Sequence, residues 1–143
     1  MIREIQKSDL NDHFFTLLAQ LSGEVSSYDP DILWMEYQKN PNHVTFVEDV
    51  KEVGKPSRIV ATSSVLIESK LLHCGSRVGH IEDVVCDKCI RGQGVGKKIV
   101  EHCIEYAKEK GCYKVILDCS NKNVPFYINC GMYLSENSMR IDL

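Results

Sequence analysis

No apolar run in this sequence approaches the roughly 18–20 residues that a helix needs to cross a bilayer, which argues against membrane insertion. Met1 to Lys7 carry no apolar h-region, so no secretory signal is expected there. Basic residues are not in excess. The net charge is -3, which argues against a nucleic-acid partner while leaving room for a local cation cluster that binds a small anion. Cys86-Asp87-Lys88-Cys89 has no second CxxC and no HxxxH to complete a zinc site, so no metal is expected. Nor does it open a helix after a thioredoxin-like strand. The seven cysteines are odd in number and scattered, which excludes a tidy disulfide framework and suits a reducing, cytoplasmic setting. Repeats, linkers and low-complexity tracts are missing as well. What remains is 143 residues, 43% hydrophobic and 26% charged, enough for one domain over residues 1–143 with a real core.

Periodicity lays out the elements. Residues 2–5 read as a short strand. Ser8 or Asp9 is placed to cap a helix carrying Phe14, Leu17, Leu18 and Leu21 on one face. Asp29-Pro30-Asp31 opens a second helix, ended by Asn40-Pro41-Asn42. His43 to Val50 and Arg58 to Ile67 form a hairpin around the polar turn at Gly54 and Pro56, and Val78 to Cys86 is a further strand. From Gly94 to Lys110 the period turns helical, with Val95, Ile99, Val100, Cys103, Ile104 and Ala107 on one stripe and Gly111 as the stop. Tyr113 to Cys119 is almost continuously apolar and predicts a buried strand. Asn121 to Cys130 predicts a short helix and Met132 to Ile141 a last strand. The order β-α-α-β-β-β-α-β-α-β predicts an α+β fold with a mixed, mostly antiparallel sheet flanked by helices.

The stretch Arg91-Gly92-Gln93-Gly94-Val95-Gly96-Lys97-Lys98 carries the clearest chemistry. Alternate glycines remove Cβ atoms where backbone must approach a ligand. The free N–H groups and dipole of the following helix then form an anion site, with Arg91 and Lys97 supplying charge. A Walker loop fails because Lys98 stands where a hydroxyl belongs. A dinucleotide fingerprint fails because the loop follows a late strand. A glycine-rich turn without a ligand is the remaining alternative.

These residues resemble the GNAT acetyltransferase superfamily, whose Arg/Gln-x-x-Gly-x-Gly loop cradles the coenzyme A pyrophosphate. Asn123-Val124-Pro125-Phe126-Tyr127, followed by Cys130-Gly131-Met132, is similar to that family's second motif. Gly79 to Val85 and Gly111 to Cys119 narrow the likeness to the glucosamine 6-phosphate N-acetyltransferases. The resemblance implies acetyl-CoA as co-substrate, with Val84, Val85 and Cys86 along the thioester and pantetheine arm. Arg91, Gly92, Gln93, Gly94, Val95, Gly96 and Lys97 would hold the pyrophosphate, with Asn123 and Tyr127 nearby. It implies sugar and phosphate contacts from Ser22, Lys70, His73, Glu82, Asp83, Tyr113, Lys114 and Asp118. It further implies a homodimer through the C-terminal strand and a place in UDP-N-acetylglucosamine synthesis. Asp142 stands where those enzymes carry a phosphate-binding arginine, so Arg140, two residues earlier and on the same strand face, is the expected substitute.

The residues alone agree in part. Glu82 and Asp83 are adjacent acids in an apolar strand, so alternation sends at least one toward the buried side or a cleft, where it needs a partner or a ligand. Both acids solvated on an edge strand is the alternative. The expected chemistry is direct attack of the acceptor amine on the thioester, with Glu82 or Asp83 taking a proton, while the resemblance implies that Tyr127 donates one to the leaving thiolate. A cysteine acyl-enzyme through Cys86 or Cys119 is the rival route. Another amine acceptor (a peptide, a lysine or a polyamine) and a coenzyme A sensor without turnover are rival functions.

Overall fold

The computed structural model describes residues 1–24 and 28–143. Its centre is a five-stranded sheet in the chain's own order: β1 (Ile2–Glu4), β2 (His43–Val50), β3 (Arg58–Ser69), β4 (Arg77–Cys86) and β5 (Cys112–Ile116). The first four strands run antiparallel, and β5 pairs parallel to β4. A parallel return needs a crossover, here α3 (Val95–Glu109). Strand alternation builds two cores. On one face α3 buries Ile99, Val100, Cys103 and Ala107 against Ala61, Val65, Ile67 and Ile81. On the other, α1 (Asp12–Ser22) buries Phe14 and Leu17 against Val47, Ile59 and Val85. Each buried Leu, Ile, Val or Phe contributes about 1.5–3 kcal/mol. The short α2 (Pro30–Gln38) buries no residue fully, and α4 (Val124–Asn129) packs Phe126 and Tyr127 onto the α3 core.

Ile81 and Val85 have the same parity on β4, yet they belong to opposite cores. The cause is a bulge. Pairing with β3 slips between Thr62↔Val85 and Ser64↔Glu82, and Asp83 takes a left-handed φ of 52°. A second feature lies on the other edge of β4. Its pairing with β5 covers only Arg77 to His80, so beyond His80 the two strands part and leave a seam along Ile81–Cys86.

The fold class and element order are those expected through α4. The strand expected over 132–141 is not formed: past the bond from the Met132 amide to the Tyr127 carbonyl the segment pairs with nothing in the sheet. A strand requires a neighbour for its N–H and C=O groups, and the segment has none among the described residues. Arg140 therefore stands away from the sheet, paired with Asp142 through Nε at 2.8 Å. The cap of α1 is Asn11, whose side chain accepts from the Phe14 amide, rather than Ser8 or Asp9. Asp9 instead holds the Arg3 guanidinium, at 2.7 and 2.9 Å. Strand β5 is exposed at Tyr113, Lys114 and Ile116, because it is the sheet's edge.

Candidate active site

The end of β4 and the start of α3 meet at the glycine loop. Gly92 and Gly94 both adopt left-handed φ, 82° and 79°, and a methyl group at either would meet no protein atom within 4 Å. The loop is thus bent in a way that favours glycine, and its outer side is open. Gly94 is the N-cap of α3, and no side chain caps the first turn. Apart from the Gly96 amide, which faces the Cys86 sulfur, the first-turn N–H groups and the positive end of the helix dipole are left for an anion. The Arg91 Nε donates to the Cys86 carbonyl at 3.0 Å, which anchors the guanidinium beside the loop. Lys97 is 3.7 Å from Glu101 one turn later. A pyrophosphate fits this cradle: open backbone, unspent amides and two cations.

The seam between β4 and β5 runs from that loop toward the bulge. Along it, the edge of Ile81–Cys86 lacks a strand partner, so its backbone groups face the gap. Val84 and Cys86 are half-buried against the α3 core, while the Val85 side chain is buried under α1. Val85 can therefore serve the seam only through its backbone. The bulge places Glu82 and Asp83 both in the open, and neither has an ion-pair partner among the described residues. Neither acid is buried, because the extra residue interrupts the alternation, and of the two it is Asp83 that meets a cleft. Asp83 lines a cavity of about 190 Å³ under α1 and α2, with Phe14, Trp34, Tyr37, Thr45 and Ser64. Holding a non-glycine residue at positive φ costs about 1–3 kcal/mol, and such strain concentrates at functional sites.

Tyr127 lies in α4, its ring edge-on to Phe126 at 4.9 Å, and Phe126 in turn crowds Gly96 of α3. Burial pushes its phenol up to about 12, so the group stays protonated across the physiological range. It is a proton donor, less closely matched to a thiol than an ordinary phenol. Burial also pushes the Cys86 thiol up, against the pull of Arg91. A protonated, half-buried thiol is a poor nucleophile.

Beyond the closed end of the seam, where β4 and β5 are still paired, the loop after β3 brings His73 to β5. The loop is closed by the Lys70 amide donating to the Ser76 carbonyl at 2.8 Å. His73, Cys74 and Gly75 are successively left-handed, with φ of 50°, 58° and 81°. The His73 ring sits 5.1 Å from Tyr113, and Lys114 Nζ lies 5.5 Å from the same ring. His73, Tyr113 and Lys114 thus form one group, with Lys70 at the base of the same loop. Ser22 is spent locally: its hydroxyl donates to the Glu24 carbonyl and accepts from the Glu24 amide. Asp118 is exposed beyond β5, Asn123 stands at the N-cap position of α4 without a side-chain capping bond, and Arg140 is remote from the sheet. Two residues that the sequence reading missed, Glu68 and His80, border Lys70. A charged residue inside an otherwise apolar strand was their only signal.

A family model described as Acetyltransferase (GNAT) family matches residues 6–132.

The chain belongs to the GNAT acetyltransferase family.

Members of this family use acetyl-CoA as co-substrate. The chain is 44% identical over 134 residues to the glucosamine 6-phosphate N-acetyltransferase of Arabidopsis thaliana, covering 92% of this chain and 88% of that protein. It is 38% identical over 147 residues to the enzyme of the same name from Trypanosoma brucei brucei, covering 99% and 95%. The crystal structure of the Arabidopsis enzyme superposes with a TM-score of 0.88 at 41% identity, over 99% of this chain and 97% of that one. Among the described residues, no helix is long and apolar enough to cross a membrane, and no three His, Cys, Asp or Glu side chains cluster to hold a metal.

Proposed function

We propose that this chain transfers the acetyl group of acetyl-CoA to the amine of glucosamine 6-phosphate, giving N-acetylglucosamine 6-phosphate and coenzyme A. One observation carries the reading: the seam along Ile81–Cys86 has an uncapped helix start at one end and is closed at the other by the paired stretch of β4 and β5, which the His73–Tyr113–Lys114 group and the Lys70 loop flank. An acyl carrier with an anionic tail suits the first end, and a sugar phosphate suits the second. Residues 91–97 hold the pyrophosphate, Asn123 lies near the coenzyme, and backbone groups of Val84, Val85 and Cys86 pair with the pantetheine amides. Ser22 and Asp118 are lesser candidates for sugar contacts.

Transfer is direct. The amine nitrogen bonds to the carbonyl carbon as the C–S bond breaks. The amine's proton passes to Glu82 or Asp83, both unpaired and exposed at the bulge, and the Tyr127 phenol protonates the leaving sulfur. Backbone N–H groups at the β4 edge stabilise charge developing on the carbonyl oxygen.

The working unit is a homodimer of single-domain chains. Tyr133, Leu134, Met139, Ile141 and Leu143 are all exposed on the segment that lacks a strand partner, which favours completion by a second copy. In that assembly Arg140 would reach the partner's phosphate site. The setting is the cytoplasm, which suits seven free cysteines, and the product feeds UDP-N-acetylglucosamine synthesis. The test is thiol release from acetyl-CoA with glucosamine 6-phosphate, glucosamine or a peptide panel as acceptor. Release that depends on the phosphosugar is the expected result. Equal release with peptides, or binding of acetyl-CoA without amine-dependent release, overturns the reading.

A further inference from the structure

Lys70 is held from behind. Glu68 lies two residues earlier, at the end of β3, and its Oε1 is against Lys70 Nζ. On the other side of the same oxygen, His80 Nε2 lies 3.5 Å away. Strand pairing explains the meeting. His80 on β4 stands opposite Leu66 on β3, and Glu68 is the diagonal neighbour on the same face. The Glu68 Oε1 and His80 Nε2 atoms are closed to solvent and meet as an ion-pair contact without a hydrogen bond, although the side chains are 40% and 25% exposed overall. Two strands thus converge on one carboxylate oxygen, and that oxygen faces the ammonium.

A lysine side chain has four rotatable bonds, and a flexible ammonium binds an anion only after losing that freedom. Here the Lys70 backbone is fixed by its bond to Ser76 and its head by Glu68. The bond from Lys70 holds the Glu68 carboxyl below its ordinary range, and the Glu68 bond in turn raises Lys70, so both stay charged at neutral pH. An ammonium has three donors. Glu68 faces the ammonium as an ion pair, and the ammonium's donors remain for a phosphate.

We propose that Glu68 and His80 are positioning residues that fix the Lys70 ammonium for the phosphate of the acceptor sugar. The idea rests on Lys70 being a phosphate ligand, as in the proposed function, and extends it to two residues that need not touch substrate. His80 immobilises the carboxylate, the carboxylate orients the ammonium, and the ammonium distinguishes a phosphorylated sugar from a plain one.

The experiment measures kcat, the KM for each substrate and the melting temperature for Glu68→Gln, His80→Leu and His80→Gln in the full chain. For Glu68→Gln and His80→Leu, the KM for glucosamine 6-phosphate is expected to rise about five- to ten-fold, the loss of part of one charged hydrogen bond. The KM for acetyl-CoA, kcat, and kcat/KM for unphosphorylated glucosamine are expected to stay within about two-fold. His80→Gln, whose amide can still donate to Glu68, is expected to recover most of the loss. In a Lys70→Met background Glu68→Gln is expected to add nothing, because it acts through the ammonium. An unchanged KM for glucosamine 6-phosphate overturns the proposal. So does an equal loss toward both sugars, or an additive effect in the Lys70→Met background. A wild-type chain that shows no preference for the phosphosugar over glucosamine removes the functional reading itself, and that result precedes any variant.

Discussion

Gly79 of β4 lies directly beneath Ala107 of α3, so close that a Cβ on the glycine would stand 2.8 Å from the alanine Cβ. The same atom would meet Val115 of β5 at 3.4 Å. The contact sets how near α3 approaches the sheet, at the point where β4 and β5 are still paired. Gly79→Ala forces helix and strand apart and is expected to destabilise the fold by about 1–3 kcal/mol. In a chain of this size that lowers the melting temperature by roughly 2–4 °C for each kcal/mol, read by calorimetry. An unchanged melting temperature would show that the helix shifts without penalty.

Tyr127→Phe keeps the ring's packing against Phe126 and removes only the proton. Turnover is expected to fall about 100-fold while the KM for acetyl-CoA stays within about two-fold. Because burial pushes the phenol up to about 12, activity should show no loss attributable to this group as pH rises to 9. Unchanged turnover in the variant would remove Tyr127 from the chemistry.

Cys86→Ala and Cys119→Ala separate the two routes of transfer. Direct attack predicts that both variants keep kcat within about five-fold and show intersecting initial-rate lines, because no enzyme-bound acyl group is formed. Abolished turnover in either, or parallel lines in the wild type, would establish the thiol route.

Asp9 links stability to pH. Burial pushes its carboxyl up, but the hydrogen bonds from the Arg3 guanidinium and the Gln6 amide, with Arg3's charge, hold it below the ordinary carboxylate value. A group depressed in the folded state stabilises the fold above its unfolded value, near 3.9, and loses that contribution as pH falls through the folded one. Asp9→Asn is expected to cost about 2 kcal/mol at pH 7 and to flatten the acid limb of the melting-temperature profile below about pH 4. An acid limb as steep as the wild type's would assign the pH dependence to other carboxylates.

Local chemistry was readable from the chain. The stripe of Ile99, Val100, Cys103 and Ala107 repeats at the helical period, and the glycines and cations of 91–97 lie within one turn of each other. Cross-strand facts were not. The bulge at Asp83 depends on how β4 pairs with β3, and neither strand encodes that register alone. Glu68 and His80 are twelve residues apart and meet only through the same pairing. Tyr113 to Ile116 looked interior because their apolar run says nothing of which strand ends the sheet. Residues 132–141 have strand-like alternation, but alternation describes a face and cannot provide the neighbour that a strand must bond to.

The open edge at Ile81–Cys86 also has a meaning for the empty protein. A row of unpaired amides and carbonyls is a docking rail for any extended chain, including a stray peptide or a neighbour's misplaced strand. In the proposed reaction the donor's own pantetheine lies on that rail before any acetyl group moves. The donor then doubles as a removable guard, and the protein is most vulnerable to sticking in the interval between one coenzyme leaving and the next arriving.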